Sequence, residues 1–134
     1  MADIPLVSPL LAGLFGDDET AALFSAEAEI AAMVEVERAL ARLQGSAGLI
    51  PPAAADDIDR ELSGLLPTSA ELAAGTAAAG VPVPALVAAL RQKLSRPAAD
   101  YLHFGATSQD IVDTGLMLRL ARTLALFEAR LADI

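Results

Sequence analysis

Cysteine and tryptophan are missing from this chain altogether, and histidine occurs once, at position 103. Without cysteine there is no disulfide framework, no thiolate nucleophile and no Cys-ligated metal. A lone imidazole makes no His cluster, so no metal site is expected. Basic residues number 9 against 18 acidic ones, for a formal net charge of −9. An acidic chain without a basic stripe does not track a phosphate backbone, and no nucleic-acid partner is expected. The N-terminus, Met1-Ala2-Asp3-Ile4-Pro5, carries no basic segment, so no secretory signal is read there. The longest charge-free run, Leu72 to Leu90, is broken by Gly75, Gly80, Pro82 and Pro84. It reads as two short buried helices and a turn rather than a bilayer span. The expectation is a soluble cytoplasmic protein with no membrane partner.

Helix formers fill the space. Among the 134 residues are 30 Ala and 22 Leu, and hydrophobic residues make up 54%, which excludes intrinsic disorder. The charge is uneven. Residues 1–61 hold 12 acidic and 3 basic side chains, whereas residues 62–134 hold 6 of each. An anionic ligand is repelled by the first part and tolerated by the second.

The spacing predicts an all-α chain with no strand and no repeat. Residues 1–18, punctuated by Pro5, Pro9, Gly13 and Gly16, read as irregular, with Asp17-Asp18-Glu19 a solvated acidic step. Ser25 caps a first long helix whose apolar face is Ile30, Met33, Val34, Leu40 and Leu43, with Gly45 and Gly48 as its stop. Pro51-Pro52 opens a second helix to about Arg60. Thr68 with Glu71 makes a capping box for a third, ending near Gly80. Val81-Pro82-Val83-Pro84 reads as extended, then a helix runs to about Leu94, then a loop over 95–105. The last helix starts near Ser108 and carries Val112, Leu116, Leu120, Leu124, Phe127 and Leu131, with Leu118 and Leu126 beside them. It is apolar over more than one stripe, as in a larger bundle, and nothing in the first 100 residues is long enough to cover it.

One stretch is dense in polar groups: His103-Phe104-Gly105-Ala106-Thr107-Ser108-Gln109-Asp110, then Asp113-Thr114. It leads from a glycine-containing loop into a long helix, where unpaired N–H groups and a partial positive charge favour a carboxylate without a formal cation. The alternative is that Thr107 or Ser108 is only an N-cap, Asp110 only an early acidic residue and His103 a partnered packing residue. Residue types alone favour that alternative.

The order of the residues resembles the first signature region of the fumarase/aspartase superfamily. Those are all-α, mostly tetrameric, cofactor-free enzymes that add or eliminate a group β to a carboxylate. Ser8-Pro9-Leu10-Leu11, Leu14-Phe15-Gly16-Asp17, Glu35-Val36-Glu37-Arg38-Ala39-Leu40-Ala41 and Gly48-Leu49-Ile50-Pro51 resemble its 3-carboxy-cis,cis-muconate cycloisomerase branch. Adenylosuccinate lyase shares the His…Thr-Ser-x-Asp block. It usually has an Arg-Tyr pair where this chain has Ile4-Pro5-Leu6-Val7, and a His-Asp pair where this chain has Pro82-Val83-Pro84.

The resemblance implies a small-molecule polycarboxylate substrate, no cofactor, no metal and a homotetramer for the full-length protein. It implies that Thr107, Ser108 and Gln109 bind a substrate carboxylate, that His103 is a substrate contact or proton donor, and that Asp110 orients its neighbours or the histidine. Residues 1–107 would be the N-terminal helical domain, and 108–134 the start of a truncated central bundle. The superfamily's second-histidine region and its Ser-Ser loop with Met, Lys and Asn have no counterpart here. The expectation is therefore a segment inactive alone, with a stand-alone helical interaction module as the alternative.

Overall fold

The computed structural model describes residues 10–134. Their elements are α1 (Ala12–Phe15), α2 (Asp18–Leu23), α3 (Ala26–Ser46), α4 (Pro52–Glu61), α5 (Ser69–Ala79), α6 (Val83–Lys93), α7 (Ala98–Tyr101) and α8 (Ser108–Ala132). The all-α class is as expected, with no strand among the described residues. Pro5, Pro9 and the motif residue Ser8 lie outside them.

The helix starts follow local chemistry. Ser25 accepts from Ala28 N at 3.1 Å, and Thr68 and Glu71 form the reciprocal capping box. Pro52 opens α4, and Gly80 closes α5 in the left-handed region. Helix α3 is the spine. Its Ile30, Met33, Val34 and Ala41 meet Ile58 and Leu62 around α4, Leu86 and Leu90 of α6, Leu102 after α7 and Ile111 of α8 in one core. Asp59 clamps α4 to α3 through Arg38 at 2.8 Å and Arg42 at 2.6 Å.

Several expectations need correcting. Gly45 does not stop α3. It lies inside the helix at the α4 crossing, where an added Cβ would sit 2.4 Å from the Cβ of Ala55. Leu43 is 68% exposed rather than core, and Leu40 is only half-buried. The Val-Pro-Val-Pro stretch is not extended throughout, because Pro82 is in the right-handed helical region and Val83 begins α6. Prolines in the first turn forfeit only N–H groups that lack helical partners anyway, and Val83 is fully buried. Helix α7 interrupts the 95–105 loop. Helix α5 is an exposed alanine helix that buries only Leu72. Residues 12–23 form two short helices, and Asp17 is no free acidic step: it caps α2 and, with Glu19, binds Arg130 of α8.

Helix α8 lies on α3 by an unexpected face. Its buried residues are Ile111, Gly115, Arg119 and Thr123, one position before the apolar stripe. Gly115 lets α8 approach Met33, and the Arg119 guanidinium stacks over Phe24 at 5.5 Å. Leu116 and Leu120 are half-buried, while Leu124, Phe127 and Leu131 are exposed. So α3 does cover the first half of α8, with small and polar side chains at the seam. No helix among the described residues is long and apolar enough to cross a membrane.

Candidate active site

The segment between α7 and α8 is held by its carbonyls. Arg91 of α6 donates to the carbonyl of Leu102 at 2.9 Å, and Gln44 of α3 donates to that of Phe104 at 2.6 Å. Leu102 is buried in the core as a plug. Between these anchors His103 takes φ +61°, and just after the second Gly105 takes φ +68°. The left-handed region costs a side-chain-bearing residue about 1–2 kcal/mol, so the packing around His103 forces it there.

The imidazole is turned inward on one edge. Nδ1 lies 2.6 Å from Oε1 of Glu37, a residue of α3 that is 1% exposed. Burial pushes the Glu37 carboxyl up from its ordinary range, and the charge and hydrogen bond of His103 and the charge of Arg91 pull it back. The upward direction holds, because the carboxylate sits among apolar side chains.

The start of α8 is a capping box. Thr107 accepts from Asp110 N at 3.4 Å, and Asp110 Oδ2 accepts from the Thr107 amide at 2.8 Å and its hydroxyl at 2.9 Å. Those bonds hold the Asp110 carboxyl below its usual range, with the His103 charge adding slightly. Gln109 donates to Asp113 at 2.5 Å on the exposed side. Ser108 takes a different place. With His103, Arg91, Val83, Pro84, Val87 and Ala88 it lines a cleft of about 330 Å³ between α6 and the start of α8.

Of the sequence-predicted residues, His103 and Ser108 thus come together. Thr107 and Asp110 serve the helix start, and Gln109 lies outside the cleft lining. Asp110 accepts hydrogen bonds from its neighbour Thr107, and it is Glu37, not Asp110, that touches the histidine. The cleft also holds a formal cation, Arg91, where none was anticipated. A larger hollow of about 580 Å³ beside α3 contains Arg38 and Arg42, but both are bound to Asp59 and no residue of the 103–114 segment lines it. The cleft suits an anion such as a carboxylate, because Arg91, Ser108 and His103 all line it beside the positive end of a long helix.

No protein-family model matches the chain. It is 36% identical over its whole length to a 3-carboxy-cis,cis-muconate cycloisomerase of Pseudomonas aeruginosa, covering 30% of that protein. It is 33% identical over 90% of its length to an adenylosuccinate lyase of Methanothermobacter thermautotrophicus, covering 27% of that protein. Among solved structures, a fumarate lyase from Mesorhizobium sp. BNC1 superposes with a TM-score of 0.81 at 40% identity, over 85% of this chain and 27% of that one. The chain therefore spans less than a third of the length of the relatives it matches. In sequence and in fold it belongs to the fumarase/aspartase superfamily, as a counterpart of the N-terminal part of its members.

Proposed function

We propose that the chain supplies a substrate-carboxylate site for the lactonisation carried out by 3-carboxy-cis,cis-muconate cycloisomerases. The observation that carries this reading is the convergence of Arg91, Ser108 and His103 on one cleft beside the start of α8. In the reaction a substrate carboxylate oxygen adds across a conjugated double bond to close a lactone, and a proton is added at the adjacent carbon. The enzyme must hold the other carboxylates and stabilise negative charge as it develops. Arg91 would pair with a carboxylate and Ser108 would donate a hydroxyl bond to it. His103 would meet it through Nε2 or deliver the proton. Thr107 and Asp110 would fix the helix end that faces the ligand, and Gln109 would lie at its rim.

The relatives' further signature regions, with their proton-transfer groups, would complete the site. Residues 108–134 would then begin a central helical bundle, assembled as a cytoplasmic homotetramer on the exposed apolar face of α8. The 33% identity to adenylosuccinate lyase favours a second reading, in which the same cleft holds the dicarboxylate end of a succinyl nucleotide. Titration of the chain with propane-1,2,3-tricarboxylate, read on the imidazole signals of His103, tests the choice. Saturable binding that weakens about 10-fold or more in Arg91→Ala supports the cycloisomerase reading. Binding of adenylosuccinate in place of the tricarboxylate moves it to the second, and binding of neither overturns both.

A further inference from the structure

Glu37 is placed where a structural side chain would be apolar. Its neighbours one turn away on the same face of α3, Met33 and Ala41, are both apolar and buried. Its Oε1 bonds His103, and its Oε2 is buried with no hydrogen-bond partner among the described residues. A carboxylate retained for stability alone would have both oxygens satisfied, because an unpartnered buried oxygen works against the fold. The residue it touches is held from several directions. Arg91 binds the carbonyl before His103, Gln44 binds the carbonyl after it, and Glu37 takes the ring itself.

We infer that Glu37 is the positioning residue of this site: anchored under the core, it grips His103 by its Nδ1 edge and so presents Nε2 to the cleft beside Arg91 and Ser108. One proton lies between Nδ1 and Oε1. Whichever atom carries it, Nε2 keeps its own proton while the pair is neutral overall, so the ring faces the cleft as a donor. That the donor meets a substrate carboxylate rests on the function proposed above.

His103 is the sole histidine, so its ring nitrogens and protons give one set of magnetic-resonance signals, free of overlap from other imidazoles. In the chain itself, a slowly exchanging, far-downfield proton in the bond between Nδ1 and Glu37 Oε1 is expected. Glu37→Gln and Glu37→Leu should each abolish it and melt at or above the parent's temperature. In both variants, binding of propane-1,2,3-tricarboxylate should weaken about 10-fold or more, as when the group behind a ligand-contacting imidazole is removed. Absence of the downfield proton in the parent overturns the inference, as does its persistence in Glu37→Gln. Variants that melt far below the parent yet bind the tricarboxylate equally well would make Glu37 a packing residue and also overturn it. Should Glu37→Gln fail to fold, the parent's Nδ1 proton decides alone. The expected Nδ1 behaviour with no tricarboxylate binding even by the parent supports Glu37 as the group that sets the ring and overturns only the carboxylate reading of the cleft.

Discussion

Thr107 and Ser108 are adjacent, chemically similar, and committed to different ends. Thr107 is spent on the capping box, whereas Ser108 lines the cleft. Thr107→Ala should cost about 0.5–2 kcal/mol of stability, read by urea or thermal unfolding. Ser108→Ala should stay within about 0.5 kcal/mol of the parent, yet weaken tricarboxylate binding about 10-fold. The reverse pattern would put the ligand on the cap and leave Ser108 as filler. The acidic residues give a second expectation, on pH. Arg130 beside Asp17, Ser95 beside Glu61, the Thr68 amide beside Glu71 and the Thr107 amide beside Asp110 all hold carboxyls below their usual values. A depressed folded-state pKa contributes stability above the unfolded value, and that stability is lost as pH falls through the folded one. Glu37 has the opposite sign, since its raised pKa makes the fold less stable at neutral pH than an uncharged residue would. The melting temperature should therefore fall as the solution is acidified below about pH 4. In Glu61→Gln, which keeps the side-chain shape, the fall should be shallower. An acid limb of identical slope in that variant would show that the Glu61–Ser95 bonds contribute nothing.

At the scale of elements, the sequence announces starts better than ends and crossings. Ser25, Pro52, Thr68 and Thr107 each act on backbone groups within three residues, so the caps of α3, α5 and α8 and the opening of α4 are legible in the chain. Gly45 is not, because what it does depends on Ala55 of another helix. Gly and helix end are associated through the left-handed conformation, but Gly45 has no positive φ and is there for a close approach. The Val-Pro rule failed at Val83 for a similar reason: core burial outweighed a local preference. The crossing can be tested directly. In an open helix, Gly→Ala gains about 1 kcal/mol, whereas forcing a methyl group into a packed contact costs about 1–3 kcal/mol. Gly45→Ala should therefore destabilise the chain, and adding Ala55→Gly should recover most of the loss. Additive losses in the double variant would mean that the two helices do not meet at this pair.

Over the whole molecule, what was legible of the site is what the chain keeps contiguous. His103 and Ser108 lie in one short segment, while Glu37 is 66 residues from the histidine it grips, and Arg91 arrives on a separate helix. A signal for Glu37 was present all the same, as an acidic residue on the apolar face of the most clearly amphipathic helix. The same global view explains α8. Its inner seam is Ile111, Gly115, Arg119 and Thr123, and its apolar stripe runs outward toward Leu124 at 65%, Phe127 at 41% and Leu131 at 71% exposed. A helix folded against α3 alone would put its leucines at the seam and its arginine outside, and here the order is inverted. Contiguous exposed apolar surface marks an interface or an association hazard. The chain should accordingly self-associate across micromolar concentrations in sedimentation velocity. Leu124→Glu combined with Leu131→Glu should return it to a monomer without lowering its melting temperature, since neither side chain touches the core. A concentration-independent monomer for the parent would mean that the outward stripe is inert. A double variant that melts early would place those leucines inside the fold, against the seam described for α8.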